Sequence, residues 1–131
     1  MKISVICPTF NSEHYIQRTI NSLIGQTSSP FEVIFSDDGS SDQTVQIIKK
    51  NLDSLKSKDI KIVIIRNKHS GPGKNRNIAM FQASGDWLAF LDSDDSWENN
   101  KLERIMYYKN NNAKCNVFLN WEKFIKKNNV I

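Results

Sequence analysis

Two stretches of the chain share one pattern: EVIFSDDGSSD at residues 32–42 and SGDWLAFLDSDD at residues 84–95. Each contains an apolar run rich in β-branched or aromatic residues, which is typical of a buried strand, and each ends in clustered aspartates. In an open parallel sheet, ligands bind beyond the carboxyl ends of the strands. The repeated pattern therefore predicts a parallel sheet with two groups of carboxylates at its ligand-binding edge.

Apolar runs alternate with segments of helical period along the whole chain, which is typical of an α/β fold. The predicted strands are Ile3–Cys7, Phe31–Ser36, Ile60–Ile65 and Trp87–Leu91, with a further strand at Asn116–Trp121. The predicted helices are Glu13–Gln26, a helix that carries Val45, Ile48, Leu52 and Leu55 on one side, Pro72 to about Ala83, and Glu98 to about Tyr108. We expect a three-layer α/β/α sandwich with a mostly parallel, Rossmann-like sheet.

Particular residues mark the expected ends of these elements. Pro8 should end the first strand, because proline cannot donate to a central ladder. Ser40 and Gln43 resemble a capping box that starts the second helix. Pro72 suits the first turn of the third helix, and Gly85 suits its C-terminal cap.

Composition predicts one globular domain over residues 1–131, with a core at 1–105 and a basic segment at 106–131. The chain has 131 residues, 39% hydrophobic and 24% charged, which is close to globular averages and long enough for a single core. Cys7 and Cys115 lie in apolar runs without metal-binding spacing, so both are predicted to be reduced core thiols. His14 and His69 lack a partner at ligand spacing and are predicted to be surface residues.

The net charge of +4 comes from the end of the chain. Residues 1–100 carry 11 lysines and arginines against 12 acidic residues, whereas residues 101–131 carry 7 against 2. A nucleic-acid partner is therefore not expected, and the basic end is either a solvated face or a peripheral contact with the inner face of a membrane. The N-terminal apolar run, about five residues long, is too short for a signal peptide or a membrane span, which predicts a cytoplasmic protein.

Asp92, Asp94 and Asp95 place three carboxylates within four residues, where their repulsion favours a bound cation or a basic partner. On an extended chain Asp92 and Asp94 face the same side and can share one ligand. Carboxylate oxygens select hard cations such as Mg²⁺ or Mn²⁺. The alternative is a solvated acidic turn or a helix cap. Trp97, close to this loop, fits either the core or a stacking contact with a sugar.

Three other segments allow two interpretations each. Asp37 and Asp38 either cap the following helix or accept hydrogen bonds from a base or ribose. Asn11 either caps the first helix or contacts a ligand. In GPGKNRN at residues 71–77, Lys74 and Arg76 either bind phosphate oxygens at a helix N-terminus or serve as a surface lysine and an arginine paired with a nearby carboxylate. The spacing is not that of a P-loop, which argues against a P-loop nucleotide hydrolase.

Five segments, taken in order, resemble the motifs of glycosyltransferase family 2, whose members have the GT-A fold. They are SVICPTFN at 4–11, LIGQT at 23–27, EVIFSDDGSSDQT at 32–44, GPGKNRN at 71–77 and SGDWLAFLDSDD at 84–95. The resemblance covers roughly residues 2–105. It implies a hexosyltransferase-type enzyme of polysaccharide biosynthesis that transfers a sugar, with inversion, from a nucleotide-diphosphate donor such as a UDP-sugar to the hydroxyl of a glycan or lipid-linked acceptor.

The same resemblance implies roles for individual residues. Pro8 and Thr9 would line the nucleotide pocket, and Asp38 would contact the base, commonly uracil. Asp92 and Asp94 match the DxD motif, which implies contacts with the ribose and with Mn²⁺ or Mg²⁺ on the diphosphate, and Asp95 is a further candidate ligand. Lys74, Arg76 and Asn77 match the donor-binding pattern only in part, because the family usually has a small residue at the position of Asn75.

The general base of an inverting transfer is not identified by any motif here. Family members use a carboxylate well beyond the DxD, and only Glu98, Glu103 and Glu122 follow Asp95. We therefore expect a truncated enzyme that binds a nucleotide-sugar with metal but transfers sugar poorly. The alternative is a non-catalytic binding or assembly module of the same fold. In either case, apolar residues of Val117–Ile125 left uncovered would favour self-association into a homo-oligomer.

A receiver-like signalling domain, which also gathers acids around Mg²⁺, is disfavoured. Its phosphoacceptor aspartate belongs at the end of the third strand, and Arg66, Asn67 and Lys68 stand there instead.

Overall fold

The computed structural model describes residues 1–119 and the backbone of residues 125–126 and 129–130. Its main sheet is parallel, in the order β3-β2-β1-β4. The strands are β1 Ile3–Thr9, β2 Glu32–Asp37, β3 Lys61–Arg66 and β4 Trp87–Phe90. The helices are α1 Ile16–Ile24, α2 Thr44–Lys50, α3 Leu52–Lys56, α4 Pro72–Gln82 and α5 Lys101–Asn111. A short antiparallel pair, β5 Ile125–Lys126 and β6 Asn129–Val130, completes the described elements.

The sheet separates two apolar layers. On one face, α1, α2, α3 and α5 pack their apolar residues against Val5, Val33 and Phe35. On the other face, α4 places Ala79 against Ile6 and Ile34. Each fully buried aliphatic side chain contributes about 1.5–3 kcal/mol relative to its exposed state. The arrangement confirms the predicted three-layer sandwich with a parallel sheet.

Pro8 does not end β1, which continues to Thr9 opposite Asp37 of β2. Backbone groups alternate along a strand, and Ile6 faces β4, since its carbonyl accepts a hydrogen bond from the Leu91 N–H. Pro8 therefore faces the β4 side as well, and in the described residues β4 is paired with β1 only up to Phe90, opposite Ile6. The β1–β2 ladder does not use the N–H of residue 8 and continues past Pro8, so the predicted strand end was wrong.

The predicted capping box is also wrong, because Ser40 and Gln43 have other partners. The Ser40 hydroxyl donates to Asp37, and the Gln43 N–H donates to Glu13. The helix begins at Thr44, whose N–H donates to the Asp42 carboxylate, and it is divided into α2 and α3 at Asn51. The prediction of one apolar side on this helical segment is confirmed for Val45, Ile48 and Leu55, which are buried.

Other expectations near the end of the chain are modified. Cys7 is buried, but Cys115 is partly exposed and is not a core thiol. Residues 116–119 have no regular secondary structure, and the rest of the strand predicted at Asn116–Trp121 lies outside the described residues. Val117 and Leu119 are 70% and 93% exposed, and self-association through this segment stays a prediction. Among the described helices, none is both long and apolar enough to cross a bilayer.

Gly85 was predicted to be the C-terminal cap of the third helix, and this prediction is wrong. A glycine is required there because the chain packs closely over β1. The C-cap of α4 is Ala83. A Cβ atom on Gly85 would lie 2.6 Å from Ser4 Oγ and 2.8 Å from the Lys2 carbonyl oxygen. Because β1 lies inside the sheet, its backbone cannot retreat.

We expect Gly85→Ala to lower the free energy of unfolding by about 1–3 kcal/mol, as overpacking does. The matched control is Gly73→Ala, where an added Cβ meets nothing within 4 Å. Gly73 lies in α4, so alanine there should be neutral or stabilising. Urea denaturation of both variants tests this, and equal stabilities would contradict it.

Glu32 is a buried carboxylate whose hydrogen bonds compensate for its loss of solvent. It accepts hydrogen bonds from Ser4 Oγ at 2.6 Å and from the Ser84 N–H at 2.6 Å, and it pairs with Lys61 Nζ at 2.9 Å. Burial by itself raises the pKa of Glu32, but these partners outweigh burial and lower the pKa from 4.5 to about 2.

A lowered pKa makes stability depend on pH in a defined direction. The contribution of Glu32, on the order of 3 kcal/mol for a shift of this size, is full above about pH 4.5 and is lost as the pH falls toward 2. In urea denaturation at a series of pH values, the stability advantage of the wild type over Glu32→Gln should shrink across that interval. An advantage independent of pH would contradict the assignment.

Candidate functional site

A cleft of about 340 Å³ opens at the carboxyl edge of β1, β2 and β4. It lies between the end of β1, the loop after β2, the start of α4 and the loop after β4. Most of the predicted donor-binding and metal-binding residues line it: Pro8, Thr9, Asn11, Asp38, Arg76, Asp92 and Asp94. Among the described residues, Lys74 and Asp95 are exposed and lie outside this lining. The two groups of acids that the sequence separates thus share one cleft.

The acidic loop after β4 is held by hydroxyl and guanidinium groups of α1. The Thr19 hydroxyl shares its one hydrogen between two carbonyl oxygens, that of Ser93 at 2.9 Å and that of Asp95 at 2.7 Å, and Arg18 donates to the carbonyl oxygen of Asp94. No polar role had been predicted for Thr19 from the sequence. Because Thr19 and Arg18 bind backbone carbonyl oxygens of the loop, they leave its carboxylate side chains available to face the cleft.

Successive side chains of the loop alternate in direction, so the buried Ser93 side chain lies between two aspartates that face the cleft. Ser93 is buried, with its hydroxyl 2.6 Å from that of Ser12. Asp92 Oδ1 lies 2.6 Å from Arg76 Nη2, and Asp94 is exposed. The ion pair shows that Arg76 is partnered with a nearby carboxylate, one of the two interpretations left open for it.

Asp92 and Asp94 suit a divalent cation that is shared with a ligand. Within residues 1–119, no three side chains among His, Cys, Asp and Glu are grouped closely enough to hold a metal. Mg²⁺ is commonly bound by one or two carboxylates together with substrate phosphates, and Mn²⁺ prefers the same oxygen ligands. The two carboxylates therefore fit a cation whose remaining ligands come from a diphosphate.

Asp38 is the buried acid of the cleft, with a side chain only 2% exposed. It accepts hydrogen bonds from the N–H groups of Ser70 and Gly71, both at 2.9 Å. Burial raises the pKa of Asp38, but these hydrogen bonds and the nearby His69 lower it overall below its usual value. The carboxylate is therefore charged at neutral pH.

Asp37 and Asn11 join loops, and neither acts as a helix cap. Asp37 accepts hydrogen bonds from the Ser40 N–H and from the Thr9 hydroxyl, both at 3.0 Å. Asn11 has a positive φ of 45°, and its Oδ1 accepts a hydrogen bond from the Ser41 N–H at 2.9 Å. Of the two adjacent acids, Asp38 faces the cleft while Asp37 closes the loop after β2.

Asn75 fixes the orientation of α4 against the sheet. Its Nδ2 donates to the Ser36 carbonyl oxygen at 2.6 Å, and its Oδ1 accepts hydrogen bonds from Ser36 Oγ and Asn67 Nδ2 at 2.6 and 2.9 Å. This network occupies the position where the family resemblance predicts a small residue. On the same helix, Arg76 faces the cleft and Asn77 is exposed.

Phe10 and His69 are cleft residues that the sequence analysis missed. Their rings stack with centroids 4.4 Å apart and an interplanar angle of 24°. The prediction that His69 is exposed is correct at 60% of its side chain, but the residue still lines the cleft. Trp97, for which either a core position or a stacking contact with a sugar was predicted, is buried in the core with residues of α5.

Comparison with known proteins identifies the family. The model of "Glycosyl transferase family 2" matches residues 4–131. The chain belongs to glycosyl transferase family 2. It is 46% identical over 97 residues to the poly(ribitol-phosphate) β-N-acetylglucosaminyltransferase TarS of Staphylococcus aureus, covering 72% of this chain and 16% of that protein. It is 40% identical over 112 residues to the Escherichia coli glucosyltransferase WfgD, covering 83% of this chain and 42% of that protein.

Solved structures of two glycosyltransferases have the same fold. The crystal structure of S. aureus TarS 1–349 in complex with UDP-GlcNAc superposes with a TM-score of 0.75 at 40% identity, covering 86% of this chain and 32% of that one. A Pyrobaculum calidifontis mannosyltransferase in complex with GDP-Man and Mn²⁺ superposes with a TM-score of 0.67 at 23% identity and shows the fold alone. The chain thus spans less than half the length of each of these proteins.

The general base of this family 2 chain stays unassigned. Among the described residues, Glu98 and Glu103 lie outside the cleft lining, and Glu103 accepts a hydrogen bond from the Thr27 hydroxyl at 2.7 Å. Glu122 lies outside the described residues.

We expect Asn75→Ala to destabilise the protein by about 2 kcal/mol, because it leaves buried polar groups of Ser36 without their partner. Asn77→Ala, an identical change at an exposed position two residues further along α4, should cost less than about 0.5 kcal/mol. Thermal or urea unfolding measures both. Similar losses would show that Asn75 does not hold α4 in place.

Proposed function

We propose that the cleft binds the nucleoside diphosphate part of a nucleotide-sugar, a UDP-sugar, and that the activity it serves is an inverting, hexosyltransferase-type transfer to the hydroxyl of a glycan or lipid-linked acceptor. One observation carries the proposal. Asp38, from the loop after β2, and Asp92, Asp94 and Arg76, from two other parts of the chain, line the same cleft. The UDP-GlcNAc complex of the TarS relative supports UDP as the nucleotide.

The residues of the cleft suit different parts of such a donor. Asp38, buried and charged, would accept a hydrogen bond from the base, with Pro8, Thr9 and Asn11 forming the adjoining wall. Arg76 would donate to phosphate oxygens, for which a guanidinium is well shaped. Lys74 and Asp95 would contribute only from outside the cleft lining, to the phosphates and the cation respectively.

Asp92 and Asp94 would hold Mn²⁺ or Mg²⁺ together with the diphosphate. When bound, the cation would neutralise the negative charge that develops on the leaving diphosphate. Arg76 already compensates part of the acidic charge through its 2.6 Å contact with Asp92, so a ligand that attracts Arg76 would leave Asp92 available. Asp94 is exposed at the cleft and needs no such exchange.

Calorimetric titration with UDP tests the proposal. In Mn²⁺ the wild type should bind UDP at least tenfold more tightly than in EDTA, and Asp94→Asn should lose most of this difference, as expected when one ligand of a shared cation is removed. Asp53→Asn, the same charge change at an exposed position of α3, is the control and should behave as the wild type.

The same titration separates the donor site from a non-catalytic assembly module. A module of that kind should show equal UDP affinity with and without Mn²⁺, or no affinity at all, and either result would contradict the proposal.

A further inference from the structure

His69 makes two contacts at the cleft that a nucleobase would also make. Its ring stacks on Phe10 with centroids 4.4 Å apart. Its Nδ1 lies 2.9 Å from Asp38 Oδ2 and 3.2 Å from the Asp38 carbonyl oxygen. Proteins recognise bases by stacking them on aromatic side chains and by hydrogen bonds to their edges. The imidazole therefore occupies the kind of position that a base would need.

The Asp38 carboxylate has little capacity for another donor. Oδ1 accepts the Ser70 N–H at 2.9 Å and is 3.4 Å from the Ser70 hydroxyl. Oδ2 accepts the Gly71 N–H at 2.9 Å, and His69 Nδ1 covers its other side. Since a carboxylate offers about four lone-pair sites, an incoming N–H needs one of these groups to leave.

His69 is the group that can leave with the least disruption. The donors from Ser70 and Gly71 include backbone N–H groups at the start of α4, and Gly71 is its N-cap. Moving them would move the helix. The His69 side chain is 60% exposed, so rotation about its own bonds takes it into solvent.

A nucleobase cannot fit between the rings of Phe10 and His69 as they are placed here. Flat rings pack about 3.5–4 Å apart, so a base inserted between two rings would separate them by about 7 Å or more. The Phe10 and His69 rings are 4.4 Å apart. A base can therefore stack on the Phe10 face that His69 covers, and reach Asp38, only after His69 has moved.

We propose that the His69 side chain occupies the binding position of the nucleobase and is displaced when the nucleotide binds. The free energy lost with its contacts to Phe10 and Asp38 then limits the affinity for the base. This inference rests on the proposed function, because it takes the base to be bound by Asp38. It makes His69 a specificity-determining residue. A ligand gains affinity by displacing His69 only if it has a ring that covers Phe10 and an N–H that reaches Asp38.

Paired titrations with UDP and with pyrophosphate, both in Mn²⁺, test the displacement. His69→Ala removes the competing ring and should raise UDP affinity about threefold to tenfold, the size of one modest contact. Pyrophosphate has no base, so its affinity should stay within about twofold of the wild type. His14→Ala, at a histidine whose side chain is 81% exposed and absent from the cleft lining, is the control for both ligands.

Two further variants sharpen the result. Phe10→Ala should weaken UDP binding by about tenfold through the loss of base stacking, again with little effect on pyrophosphate. His69→Gln keeps an N–H donor for Asp38 without an aromatic ring, and its gain in UDP affinity should be smaller than that of His69→Ala.

Nuclear Overhauser effects in the unmodified protein give a readout that does not depend on a variant. Contacts between the ring protons of Phe10 and His69 should disappear on saturation with UDP and persist with pyrophosphate. Their persistence in the UDP complex would overturn the inference.

The outcomes of the titrations are distinct. Equal or weaker UDP binding by His69→Ala would show that the ring supports the base, and equal gains for UDP and pyrophosphate would show a general loosening of the loop; both overturn the inference. UDP binding by His69→Ala but not by the wild type would support it in its strongest form. If neither protein bound UDP in Mn²⁺, the proposed donor site itself would fail.

Discussion

The hydrogen bonds from the Ser70 and Gly71 backbone to Asp38 are the interaction on which the cleft depends. They attach the residues just before α4 to the residue that follows β2, where the positive end of the helix dipole also favours a carboxylate. Once that end is fixed, Asn75 holds the next turn against Ser36, and Arg76 is brought within 2.6 Å of Asp92. One buried charge thus aligns three separate parts of the chain.

Charge in the cleft is balanced unevenly, and this has a chemical consequence. The charge of Asp38 is stabilised by hydrogen bonds from the loop before α4, and that of Asp92 by Arg76, whereas Asp94 is exposed at the opening. The backbone of the acidic loop is held from behind by Thr19 and Arg18 of α1. The loop is therefore organised before any ligand binds, and a diphosphate with its cation would meet groups already in position.

The α/β class, the parallel sheet and the family could be predicted from the residues alone. The pattern of an apolar run ending in acids is local, and the carboxyl ends of parallel strands lie at one edge of the sheet, so Asp38, Asp92 and Asp94 were expected at the same edge. Lys74 was also a reasonable candidate by position, but a helix turns by about 100° per residue, and the side of α4 that faces the cleft is set by how Asn75 packs.

Tertiary structure decided the features whose partners lie far along the chain. Pro8 stays within β1 because its missing N–H faces β4, whereas the pairing of β1 with β2 continues past it. Ser40 bonds the loop after β2 instead of capping a helix, and His69 contacts Phe10 and Asp38, which lie in two other loops. The physical reason is the same each time. Hydrogen-bonding and stacking groups take the best partner that the fold brings within about 3–4 Å, and a local pattern cannot show that partner.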